Sequence, residues 1–158
     1  MTMERKLILT DIAGYIPYGL EVNGFGIVTG CNNGRLFFEG ETESFLEVEF
    51  ARPILRPISD LYRTIIHNGK EIVPIVELAN LHMPGKTWKL YYGNAVCGDR
   101  IFGFIDGGFF FQYEDEPENI EYQFKLFDFL HELKIDYRSL LDAGLAVSCY
   151  DLETNPYK

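Results

Sequence analysis

The chain is poor in the residues that catalysis and metal binding most often use. It has three histidines and three cysteines in 158 residues. Cys31, Cys97 and Cys149 are unclustered and form no CxxC pair, so neither a disulfide framework nor a thiolate metal site is indicated, and reduced, cytosolic cysteines fit best. No uninterrupted apolar run approaches the roughly 20 residues that span a bilayer, so no membrane association is expected. Met1-Thr2-Met3-Glu4-Arg5-Lys6 leads into an apolar stretch that ends at Asp11, too short for a secretory signal. Gly103, Gly107 and Gly108 follow neither a GxGxxG nor a Walker spacing, and no GxSxG surrounds Ser59 or Ser148. No cofactor, metal or nucleotide is therefore expected.

Positive charge is also scarce. Lys and Arg number 14 against 24 Asp and Glu, a formal charge of −10, which disfavours a footprint on nucleic acid, and no direct nucleic-acid binding is expected. The acidity serves solubility, with imitation of a phosphate backbone as the alternative; the scattering of the carboxylates over the chain favours solubility. What is abundant is aromatic surface. Thirteen Phe and ten Tyr fill a core and, where they cannot all be buried, form an interface. Phe109-Phe110-Phe111, apolar on both faces of a strand, points to self-association into a homodimer.

The pattern of elements predicts one α+β domain over residues 1–158, with antiparallel strands packed on a long C-terminal helix and several short ones. Leu7 to Leu9 reads as an opening strand. Asn23-Gly24, Asn33-Gly34 and Asn68-Gly69 favour turns, and with Phe25 to Thr29, Arg35 to Glu39 and Ser44 to Phe50 they suggest a meander. A two-turn helix capped by Ser59 is expected through Ile66, a strand over Glu71 to Pro74, and a small helix over Ile75 to Leu81. Thr87 to Tyr92, Ala95 to Cys97, Arg100 to Ile105 and Phe109 to Tyr113 make a second set of strands. The long helix is expected over Glu118 to Leu133, capped by Asp115, with Tyr122, Leu126, Phe129, Leu130 and Leu133 on its apolar arc and Ile120, Phe124 and Phe127 widening it. Asp136 is expected to cap a short helix through Leu141, stopped by Gly144, before a closing strand from Leu145 to Cys149.

Candidate sites are few. His131 reads as a hydrogen-bonded packing group, and His67 and His82 as surface or turn groups, rather than as ligands or acids. Cys97, between Val96 and Gly98 at a hairpin, reads as a semi-buried thiol unless a histidine converges on it. Asp99 with Asp106, and Asp115 with Glu118, are turn and cap residues unless the fold brings them into one cleft. The segment Arg52-Pro53-Ile54-Leu55-Arg56-Pro57-Ile58-Ser59-Asp60-Leu61 says more. Each proline stiffens the arginine before it into extended chain. Asp60 and Arg63 form an i,i+3 pair that Arg56 can join across the cap. Arg52, Arg56, Asp60 and Arg63 thus read either as a clamp on the loop or as a protein-binding group with a guanidinium free for a carboxylate or phosphate.

Together with Tyr15-Ile16-Pro17-Tyr18-Gly19-Leu20, Asn68-Gly69-Lys70-Glu71-Ile72-Val73-Pro74-Ile75 and Asp136-Tyr137-Arg138-Ser139-Leu140-Leu141-Asp142-Ala143-Gly144-Leu145-Ala146, that segment resembles small uncharacterised proteins of tailed phages and prophages of Bacteroides-type gut bacteria. Where those proteins often carry Lys-Pro, this chain has Arg52-Pro53. No activity attaches to the resemblance and no functional residue carries over from it. It implies a mobile-element origin, the cytoplasm of a bacterial host, and an accessory role on a host or phage protein. The expected function is a non-enzymatic protein-binding or inhibitory module. A small hydrolase or nuclease-like enzyme with a site assembled only in three dimensions is the alternative, and a virion structural component a further one.

Overall fold

A computed structural model describes residues 4–40 and 44–158, so Met1, Thr2 and Met3 of the N-terminal stretch read above lie outside the described residues. A helical turn, α1 (Leu9–Ile12), and a 3₁₀ segment over Ala13–Tyr18 precede strands β1 (Glu21–Val22), β2 (Gly26–Asn32), β3 (Arg35–Phe38), β4 (Phe45–Glu47) and β5 (Ile54–Leu55). A 3₁₀ turn over Ile58–Tyr62 leads to β6 (Ile65–His67), β7 (Lys70–Ile72) and helix α2 (Pro74–His82). Then come β8 (Lys89–Tyr91), β9 (Asn94–Cys97), β10 (Arg100–Ile105), β11 (Gly108–Tyr113), β12 (Glu116–Glu118), helix α3 (Gln123–Glu132) and β13 (Val147–Ser148). The class is α+β, as the sequence predicts. By contacts the chain divides into two units, one running up to Pro57 and resuming over His131–Tyr157, the other Ile58–Leu130 with Lys158.

In the first unit β1 to β4 form the expected antiparallel meander in sequential order, and β5 pairs in parallel with β13. Asn33 and Gly34 take φ of 52° and 74°, the type I′ geometry that matches the twist of β2 and β3. Leu20, Val28, Leu36 and Leu55 are buried beneath the meander, joined by Leu140 and Leu145 from the C-terminal segment.

The second unit is built on a five-strand antiparallel sheet in the order β12-β11-β10-β9-β8. Ile75, Leu78 and Ala79 are the buried face of α2, which lies against β8, β9 and β10. From α3, Phe127 packs edge-on to Phe109 at 5.1 Å while Leu126 is buried. Gly103 lies opposite Phe110, and a Cβ there would sit 2.6 Å from that ring, so the central strand needs a glycine at this position.

Several expected elements take another form. Leu9 is helical rather than extended, because the Asp11 carboxylate accepts the Ile8 N–H and closes a first turn. Ser59 caps no two-turn helix: Ile65 and Ile66 are strand residues, and Asn68-Gly69 (φ 51° and 76°) is a hairpin turn joining β6 to β7 rather than a helix stop. Pro74 opens α2 at its first position instead of ending a strand. The long helix starts at Gln123, five residues later than expected. Glu114 and Asp115, at φ of 52° and 66°, form the two-residue turn between β11 and β12, so Asp115 is a turn residue and not a helix cap. Tyr122 and Phe124, at 60% and 62% exposure, lie outside the packed arc of α3. Asp136 does cap, but what it caps is a turn: its carboxylate accepts the N–H groups of Leu140 and Leu141 at 2.9 and 2.8 Å with no helix between.

Candidate binding surface

Of the four residues singled out from the Arg-Pro segment, Arg56 and Asp60 are buried and Arg52 and Arg63 are exposed. Arg56 is 2% exposed and donates to the Tyr157 carbonyl at 2.7 Å and the Tyr150 hydroxyl at 3.3 Å, so it ties the C-terminal segment to β5. Tyr157 returns the tie by donating to the Ile54 carbonyl at 2.6 Å. Asp60 is fully buried and forms the expected i,i+3 ion pair with Arg63. Arg52 is exposed and bonds to the Ala51 carbonyl at 2.8 Å. Arg52 and Arg63 are the two members at the surface.

His131 is a packing histidine with a polar partner, as its place in the sequence suggests. Its Nε2 shares a hydrogen bond with the Tyr137 hydroxyl at 2.6 Å, and its ring meets Tyr15 edge-on at 4.9 Å. Tyr15 is fully buried and donates to the Ile135 carbonyl at 2.5 Å; burial pushes its phenol well above the usual range. Arg138 and Arg5 pair with the buried Asp11 beside it. These side chains satisfy one another, which describes a structural network rather than a reactive one.

His82 differs. Its ring stacks on Phe102 at 5.6 Å and meets Phe111 edge-on at 4.7 Å, burial holds its pKa below the ordinary value, and its Nε2 is buried with no hydrogen-bond partner among the described residues. It lines a pocket of about 290 Å³ together with Asn119, Glu121, Tyr122 and Lys125. Cys97 is not among the residues that line it. No group of three or more His, Cys, Asp or Glu side chains that could hold a metal occurs among the described residues. Asp106 and Asp115 occupy turns at positive φ.

A candidate binding surface lies at one end of the second unit's sheet. β8 is its edge strand, and all three of its residues are exposed. Tyr92 and Gly93, at φ of 46° and 76°, make a two-residue turn into β9, with Tyr91 opposite Asn94. Such a turn is closed by a hydrogen-bonded pair, and pairs alternate along an antiparallel ladder. Lys89 and Tyr91 therefore bond inward to β9, and the N–H and C=O of Leu90 face the free edge. A groove of about 570 Å³ runs along this strand, lined by Lys89, Leu90, Tyr91, Val96 and Cys97 among others, with no histidine. Tyr92 is 87% exposed, edge-on to Tyr91 at 4.5 Å. A bulky side chain in left-handed backbone costs about 1 kcal/mol or more, and asparagine or glycine would fill the turn more cheaply.

The opposite edge is closed. Its strand β12 is Glu116-Pro117-Glu118, and by the same alternation Pro117 occupies the outward position, where it has no N–H to offer. Glu114 and Asp115 add like charge there. By contrast the segment from Met83 to Gly98 holds Lys86 and Lys89 and no carboxylate. The sequence singled out Arg52, Arg56, Asp60 and Arg63; this carboxylate-free window in an acidic chain is the signal that points to the β8 edge instead.

Compared with family models, with curated proteins and with solved structures, the chain matches none. No helix of the described residues is long and apolar enough to cross a membrane.

Proposed function

We propose that this chain is a non-enzymatic binding module that acts by protein contact through the β8 edge and the Tyr91-Tyr92 tip. The observation that carries the reading is Tyr92: an aromatic ring held in strained backbone at 87% exposure, with its edge-on contact made to the exposed Tyr91, takes no part in the buried core. Strain kept at an exposed position points to a use for the side chain. Leu90 and Tyr91, at 41% and 62% exposure, extend the apolar surface beside it. The resemblance to phage and prophage proteins supports a host or phage protein as the partner and the bacterial cytoplasm as the setting. A homodimer, the other outcome of the aromatic surplus, would use the same surface.

Affinity capture from infected or lysogenic host cells, with the parent beside a Tyr91→Ser, Tyr92→Ser double variant, tests the reading. A partner held by the parent and lost by the variant is expected. A partner held equally by both would remove the tip from the contact. The enzyme alternative has its best ground in the His82 pocket, where one histidine and one carboxylate, Glu121, share a lining; turnover of any ester, peptide or nucleic acid by the purified chain, lost in His82→Phe, would replace the binding reading.

A further inference from the structure

We infer that the free edge of β8 accepts an extended, acidic segment of the partner as a sixth strand of the second unit's sheet. The inference rests on the binding reading above and adds the partner's chemistry.

Three observations carry it. First, the outward N–H and C=O of Leu90 offer a strand what Pro117 withholds at the other edge, so one end of the sheet can be extended and the other cannot. Second, the charge is complementary: in a chain of net charge −10, Lys89 is exposed on β8, Lys86 is exposed three residues before it, and the sequence has no carboxylate between Met83 and Gly98. Third, the two faces of β8 supply what backbone pairing lacks, places for alternate side chains: Lys89 shares one face with Tyr91 and Val96 and suits an acidic residue, and Leu90 on the other face suits its apolar neighbour. A second copy fits less well. The chain's own acidic edge cannot dock as a donor strand through Pro117, and pairing of two β8 edges would bring Lys89 against Lys89 of the second copy.

Fluorescence anisotropy of the full chain with dye-labelled peptides tests this. One peptide alternates glutamate with valine, and its counterpart alternates lysine with valine. The acidic peptide is expected to bind roughly tenfold more tightly than the basic one and to weaken with added salt. Lys89→Glu should reverse that preference. Leu90→Pro removes the outward donor without touching the β9 ladder, and should abolish binding while the thermal melt stays close to that of the parent. Equal binding of both peptides, no binding of the acidic one, or binding undiminished by Leu90→Pro would overturn the inference. So would a dimer mass by light scattering that Leu90→Pro returns to the monomer, since it would give the edge to a second copy. If the peptides fail while capture through Tyr91 and Tyr92 persists, the acidic strand falls and the binding module stands; if both fail, both fall.

Discussion

At the scale of single residues, three positions set the behaviour. Tyr92 keeps an aromatic ring where the backbone favours asparagine, so Tyr92→Asn should raise stability by about 0.5–1 kcal/mol in urea denaturation while weakening partner binding. Gly14 is small for a different reason: a Cβ there would fall within the His131 ring, which Tyr137 and Tyr15 hold in place. Gly14→Ala should cost about 1–3 kcal/mol, and in a His131→Ala background the same change should cost much less. His82 gives a pH dependence. Burial lowers its folded pKa below the ordinary 6.5, so its neutral form is what the fold prefers. Its contribution is complete above that ordinary value and is lost as pH falls from there toward the folded value, where the unfolded chain takes up the proton first. His82→Phe should flatten that part of the stability profile. Because it also removes a buried, unpartnered nitrogen, it should leave the fold no less stable at pH 8. None of these three could be read from sequence. The strain at Tyr92 depends on a turn whose register only the ladder reveals, and the Gly14 contact joins residues more than a hundred positions apart.

At the scale of elements, what was legible followed local rules. The meander, α2 and the strands from Lys89 to Tyr113 lie close to where alternation, apolar periodicity and Asn-Gly turns place them. The errors came where one local signal has two uses. Asn68-Gly69 can end a helix or join two strands, and the β-branched pair Ile65-Ile66 decides for strands. Asp115 can cap a helix or sit in a hairpin turn, and pairing of Tyr113 with Glu116 decides for the turn. The apolar arc read from periodicity for the long helix was too wide: Tyr122, which precedes α3, and Phe124 within it are exposed, yet both satisfy the same period as buried Leu126 and Leu130. Leu126→Asp should therefore cost more than about 3 kcal/mol, through an unpaired charge in the core, and Phe124→Asp less than about 0.5 kcal/mol by the same denaturation measurement. Equal effects would return Phe124 to the core.

At the scale of the whole molecule, net charge and edge design pull in one direction. In an acidic chain, the second unit closes one sheet edge with Pro117 and carboxylates and leaves the other with lysines, tyrosines and an outward backbone position, the asymmetry on which the proposed strand addition rests. The Arg52 to Arg63 segment drew attention in the sequence because proline and arginine stand out there. Yet Arg56 and Asp60 are buried, and burial is what sequence spacing reports least well. The most direct measurement is backbone amide hydrogen exchange at Leu90, by NMR, with and without the acidic peptide. In the free chain the Leu90 amide should exchange rapidly while those of Lys89 and Tyr91 are protected, and the peptide should slow Leu90 alone among the three. A Leu90 amide already protected in the free chain, or one left unchanged while other residues respond to the peptide, would contradict the assignment of β8 as the edge that binds.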